Sequence, residues 1–170
     1  MINAVRFITI PLLLMVLLTG CDLFGTSKTN PEPLPDFSKN YDPAHDPEAN
    51  LEFAISMAKE SNRRILMLVG GDWCPWCRAL DTFFKEDADL YPLLHENFVL
   101  LKVYYGRENY NRNFLSGFPK LVATPHLYVL ESDGTHLHSQ GSEVLEKGRS
   151  YDALKVMAFL QRWLPEKKDT

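Results

Sequence analysis

The sequence predicts an α/β domain in which a central mixed β-sheet is flanked by helices. Three observations lead there. Short apolar runs of strand length alternate with amphipathic segments of helical period, the arrangement that joins parallel strands through crossovers. An Asp133-Gly134 pair between two further β-prone runs adds an antiparallel hairpin late in the chain. The chain has 170 residues, 45% of them hydrophobic and 24% charged, which is enough for one domain with a real core. Its formal charge of −4 comes without basic clusters, which argues against nucleic acid as a partner.

The N-terminus decides which part of the chain folds. Arg6 is the only charge before residue 22, and an apolar run from Phe7 to Leu18 follows it, interrupted only by Thr9 and Pro11. That run is shorter than the about 20 apolar residues a bilayer-spanning helix needs. A basic start, a short apolar middle and small residues before a cut have the form of a secretory signal. Leu18-Thr19-Gly20-Cys21 resembles the lipobox of bacterial lipoproteins, which implies cleavage before Cys21 and acylation of its thiol. Residues 1–20 are therefore expected to be a lipoprotein signal peptide. The expected location is the bacterial envelope, lipid-anchored and facing the periplasm. Asp22 resembles the inner-membrane retention signal of enteric bacteria and leans the expectation toward that membrane. Residues 21–45 hold Pro31, Pro33, Pro35 and Pro43 among polar residues and read as a lipidated N-terminus and flexible linker. Residues 46–170 are the expected domain.

Asp46-Pro47-Glu48 is a helix start: an N-cap, a proline at the first helical position and an acid in the first turn. Leu51, Ala54, Ile55 and Ala58 recur at helical spacing and carry the helix to about Ser61. Arg64 to Val69 is a buried strand ended by Gly70-Gly71. Leu80, Phe83 and Phe84 mark a helical face after the cysteine pair, and Leu90 to Asn97 is a second short helix. Phe98 to Tyr104 is apolar enough for a central strand, and Gly106 to Lys120 is loop-like. His126 to Leu130 is a strand whose antiparallel partner is Thr135 to Ser139. Ser150 to Leu164 closes the chain as an amphipathic helix carrying Leu154, Met157, Ala158, Leu160 and Trp163.

The chemistry concentrates at Cys74 and Cys77. With Cys21 assigned to lipid, they are the only pair able to form an internal disulfide. A C-x-x-C pair after a strand and at the start of a helix puts its first sulfur beside unpaired N–H groups and the positive end of the helix dipole. Thiolate is favoured there, and thiolate is the nucleophile. Cys74 is thus expected to attack a substrate disulfide, and Cys77, one turn on, to resolve the mixed disulfide. The competing use of such a pair is structural zinc, which takes four protein ligands. No second cysteine pair exists, and His45, His95, His126, His136 and His138 show no ligand spacing near the first, so no metal is expected.

Trp73-Cys74-Pro75-Trp76-Cys77, preceded by the strand Ile65-Leu66-Met67-Leu68-Val69, resembles the thioredoxin superfamily. Its thioredoxin-like envelope branch, which includes the C-terminal domain of the transmembrane thiol reductant transporter, is the nearer likeness. Thr124-Pro125 is the second mark: in the family that proline is cis and lies against the redox pair. The resemblance covers residues 47 to 164 and implies a thioredoxin-like fold, with the backbone of Thr124 pairing with an extended substrate. Trp73, Pro75, Trp76, Thr124 and Pro125 are the implied substrate-binding residues. Two departures stand out. The family's buried proton-moving acid, six residues before the first cysteine, is here Leu68. Asp72 is expected in a loop and Asp81 at a solvated helix position. Pro-Trp replaces the Gly-Pro of thioredoxin between the cysteines. Tyr104, Tyr105, Tyr110, Phe114 and Phe118 make the following segment aromatic, most of it expected in the core.

The expected function is thiol–disulfide exchange on protein disulfides in the envelope. No bound cofactor is expected, because Cys74 and Cys77 carry the electrons, and a membrane partner would recycle the pair. A reducing direction is favoured by the resemblance. The alternatives are a copper-handling protein and a non-catalytic assembly module that keeps the fold.

Overall fold

The computed structural model describes residues 34–166; the expected signal peptide and the lipidation site Cys21 lie outside the described residues. The first described element is a single-turn helix, α1 (Asp36–Lys39). Helix α2 (Pro47–Ser61) starts as its sequence requires, with the Asp46 carboxylate accepting from the backbone N–H of Glu48 and Ala49 at 3.0 and 3.2 Å. Such a cap is worth about 1 kcal/mol. The helix ends at Asn62, which adopts the left-handed conformation that asparagine tolerates.

Strand β1 (Arg64–Gly70) leads into α3 (Pro75–Glu86), then α4 (Leu90–Asn97) and β2 (Phe98–Tyr104). The segment after β2 holds one short helix, α5 (Arg112–Leu115). Strands β3 (His126–Leu130) and β4 (His136–Gly141) form the hairpin, and a 3-10 turn at Ser142–Leu145 follows. A two-stranded ribbon, β5 (Glu146–Lys147) with β6 (Ser150–Tyr151), precedes the closing helix α6 (Ala153–Arg162). The main sheet has the order β2-β1-β3-β4, with β1 parallel to β2 and antiparallel to β3. This is the mixed sheet flanked by helices that the sequence predicts.

Side chains alternate across the sheet with a period of two, so each strand feeds two cores. Leu66, Leu68, Leu127 and Val129 face a core closed by α3, α4 and α6. Ile65, Met67, Val69, Tyr128 and Leu130 face a second core closed by α2, whose Ala54 and Ala58 are fully buried. β1 and β3, covered on both faces, read as continuous apolar runs for this reason.

Three expectations are corrected. The linker does not run to residue 45: Phe37 and Tyr41 are buried in the cores, and Ser38 Oγ donates to Leu100 O at 2.5 Å. The segment therefore covers the open edge of β2, where an unpaired carbonyl would otherwise stand. The closing helix starts at Ala153 and not Ser150, because Asp152 caps it, accepting from Leu154 N and Lys155 N, while Ser150 and Tyr151 pair with Glu146 and Lys147. Its buried face is Val156, Phe159 and Leu160, whereas Leu154 is 81% exposed. Asp81 is the third correction and belongs to the site.

Candidate active site

Gly70 and Gly71 end β1, and the chain turns so that Cys74 N donates to Gly71 O at 3.0 Å. Cys74 is the N-cap of α3, with extended backbone, and its Sγ accepts from Cys77 N at 3.3 Å. A cysteine here plays the part usually taken by Ser or Asp. Pro75 follows at the first helical position, where its missing N–H leaves nothing unpaired. The Cys74 sulfur thus sits at the end of a helix where N–H groups and the dipole favour negative charge. Both cysteines are free thiols and buried, at 4% and 1% exposure.

Across from Cys74 lies the Thr124-Pro125 bond, which is cis. Cys74 Sγ donates to Thr124 O at 3.5 Å, so the two motifs meet at the sulfur. The loop behind them is braced. Pro125 O accepts from Ser142 N at 3.1 Å, and the Tyr151 hydroxyl makes hydrogen bonds of 3.1 Å to Ser142 Oγ and to Trp76 O. The Tyr151 ring also packs edge-to-face on Trp76, with centroids 5.7 Å apart. The β5–β6 ribbon therefore ties the cysteine turn to the proline loop.

Trp76 is half-buried, and Trp73 is 54% exposed with its Nε1 donating to Tyr105 O at 3.0 Å. Trp73 lines a groove of about 460 Å³ with Tyr105, Gly106, Arg107, Glu108 and Tyr110. Of the aromatic segment, Tyr104 and Phe114 are core and Tyr110 is at the surface. Trp73, Cys74, Pro75, Trp76, Cys77, Thr124 and Pro125 thus occupy one end of the sheet. Among the described residues, no group of three or more His, Cys, Asp or Glu side chains is placed to hold a metal ion.

Cys77 is a different group from Cys74. Its thiol is pushed far above the ordinary thiol range, first by burial, then by its hydrogen bond with Cys74 and by the negative charge of Asp81. Asp81 is not solvated as expected. It pairs at 2.5 Å with Lys102 Nζ, a side chain only 1% exposed, which also donates to Lys39 O at 2.7 Å. Lys102 stands in β2 opposite Leu68 of β1. A buried ammonium needs such partners, because an uncompensated charge there would be strongly destabilising. Sequence reasoning missed Lys102; the signal was a lone cation inside the apolar run Phe98 to Tyr104.

No curated protein matches the chain. Among solved structures, a disulphide isomerase from Xylella fastidiosa Temecula1 is similar, with a TM-score of 0.63 at 22% identity, over 76% of this chain and 95% of that one. The oxidised C-terminal domain of DsbD from Neisseria meningitidis gives a TM-score of 0.48 at 15% identity, over 68% of this chain and 95% of that one. The first likeness shows the fold. Residues 46–132 match the thioredoxin-like family, and the chain belongs to that family.

Proposed function

We propose that this protein is a thiol–disulfide oxidoreductase whose redox couple is Cys74 and Cys77. The observation that carries the reading is the Cys74 sulfur, held as N-cap of α3 by Cys77 N–H and facing Thr124 O beside a cis proline. Cys74 attacks a substrate disulfide: a bond forms from its sulfur to one substrate sulfur, the substrate S–S bond breaks, and the other sulfur leaves as thiolate and takes a proton. Cys77 then loses its proton and attacks Cys74 Sγ. The Cys74–Cys77 disulfide forms, the mixed disulfide breaks, and the second substrate thiolate leaves and is protonated. The dithiol gives up two electrons and two protons to the substrate, and no bound cofactor is needed.

Protein disulfides are the proposed substrates. The Trp73 groove and the Thr124 backbone offer an apolar platform and a hydrogen-bonding edge for an extended segment. Trp73, Pro75, Trp76, Thr124 and Pro125 are the residues proposed to meet it. A reducing direction, recycling by a membrane partner, lipidation at Cys21 and a periplasm-facing location complete the reading; they rest on the sequence patterns. Among the described residues no helix is long and apolar enough to cross a membrane.

The test is the potential of the couple in the full chain, by equilibration with glutathione. A value near −270 mV, about that of thioredoxin, is expected for a reductase. A value near −120 mV, about that of a strong oxidant, would reverse the direction. No reversible couple, or full turnover by Cys74→Ser, would remove the enzyme reading altogether.

A further inference from the structure

The segment before α2 brings one side chain to the redox centre that the mechanism above leaves unused. Tyr41 is 5% exposed, and its hydroxyl is buried with no hydrogen-bond partner among the described residues. A buried hydroxyl without a partner is costly and rare. Its position is informative. A Cβ added at Gly70 would overlap Cys77 Sγ and would lie 3.6 Å from Tyr41 Cζ, so the hydroxyl end of the ring and the sulfur of Cys77 converge on one point of the backbone. Glycine is required at 70 because the Cys77 sulfur crowds it, with the Tyr41 ring in ordinary van der Waals contact beyond.

The Tyr41 ring is also faced by Lys102, whose Nζ stands 5.3 Å from the ring centroid and is held there by Asp81 and Lys39 O. Burial above all pushes the phenol well above its ordinary range, and Cys77, then Asp81, Cys74 and Asp72, raise it further. Tyr151 faces the cysteines from the β6 side, and its phenol is raised chiefly by burial. The Tyr41 phenol therefore stays protonated at any working pH, and in the reduced protein it makes no hydrogen bond to the Cys77 sulfur or to any other described group.

We propose that Tyr41 is a catalytic residue of the resolving step, donating its hydroxyl hydrogen to Cys77 Sγ as that sulfur becomes a thiolate. The inference rests on the oxidoreductase reading above and names the group that makes its second half possible. The Cys77 proton leaves as the sulfur turns to Cys74, and it is balanced by the proton the departing substrate thiolate takes up. Tyr41 keeps its own proton throughout; it replaces, by hydrogen bonding, the solvation that burial denies the Cys77 anion. Once the disulfide forms, the charge is gone and the hydroxyl is again unpartnered. The residue stands before residue 46, outside the part of the chain that matches the family.

The experiment uses the reduced full chain and a chromogenic aromatic disulfide. One coloured thiol is released when Cys74 attacks and a second when Cys77 resolves. In Tyr41→Phe the first release is expected to be unchanged, and the second to slow about tenfold, as loss of a charge-assisted hydrogen bond predicts. The pH at which the second release is half-maximal moves upward. An unchanged second release in Tyr41→Phe overturns the proposal. Absence of the first release in the wild type would instead remove the oxidoreductase reading, and a first release without a second would remove the resolving role of Cys77. If Tyr41→Phe does not fold, 3-fluorotyrosine at position 41 keeps the ring and gives a stronger donor. It must then speed the second release, and a rate equal to the wild type would overturn the proposal.

Discussion

His126 follows the cis proline directly and is 1% exposed. Its Nε2 lies 2.8 Å from Ser139 Oγ, and its Nδ1 is buried with no hydrogen-bond partner among the described residues. Burial lowers its pKa below the usual 6.5, against a smaller opposing pull from Glu143, and His95 is lowered by burial and by the Arg63 guanidinium. Both therefore fold neutral. As pH falls below 6.5 the unfolded chain takes up protons that the folded chain refuses, so the stability these residues supply is full above 6.5 and is lost as pH falls through the lower folded values. Denaturant unfolding measured from pH 7.5 to 5 should show that decline, with a flatter slope in His126→Gln. An equal slope would mean that His126 is not the group responsible. The sequence placed His126 correctly at the start of a strand but carried no sign of its burial. The cysteine pair and Thr124-Pro125 were legible because their chemistry is local: a turn, a helix start, a missing N–H. Lys102 and Asp81 were not, because they stand 21 residues apart and only the packing of α3 on β2 makes them a pair.

Elements with strong period or strong boundaries were read nearly to the residue. Phe98–Tyr104 and His126–Leu130 stand as the sequence predicts, since apolar runs buried on both faces leave little choice, and so does the helix Leu90–Asn97, which buries Leu90 and Leu94 one turn apart. The β5–β6 ribbon escaped. Two-residue strands have no periodicity, and Ser150 and Tyr151 were absorbed into the helix that follows. That ribbon matters because Tyr151 is its contribution to the site, joining Trp76 O in the cysteine turn to Ser142, whose N–H holds Pro125 O. Tyr151→Phe keeps the packing on Trp76 and Phe83 and loses only the hydroxyl. It should cost about 1 to 2 kcal/mol, read as a shift in the denaturant midpoint with an unchanged slope. Turnover of a protein disulfide should fall in the same variant, because the brace between the two loops is what positions Thr124 against Cys74. A variant with wild-type stability and turnover would mean that the ribbon merely rests on the site.

At the scale of the whole molecule, the part of the chain that matches the family is not the part that completes the core. The match begins at residue 46, yet Phe37 fills the α2 side of the sheet, stacking edge-to-face on Phe53, and Tyr41 fills the α3 side. Between them Lys39 O accepts from the Lys102 ammonium, and just after Tyr41 the Pro43 O accepts from Asn109 Nδ2 at 3.1 Å. Composition concealed this: prolines and polar residues dominate residues 21–45, and the three aromatics there, Phe24, Phe37 and Tyr41, carry no periodic signal. Burying an aromatic of this size is worth about 1.5 to 3 kcal/mol, so removing both should cost at least about 3 kcal/mol, before counting the carbonyl taken from a buried lysine. A chain beginning at residue 46 should therefore unfold at lower denaturant than one beginning at residue 34, and Phe37→Ala alone should reproduce part of the loss. The shortened chain should also lose the rate of the second thiol release more than the first, since the hydroxyl beside Cys77 goes with the segment while Cys74 keeps its helix end and Thr124. Equal losses in both releases would point to general loosening of the domain, and equal stability of the two chains would show that the segment only lies along the edge of β2.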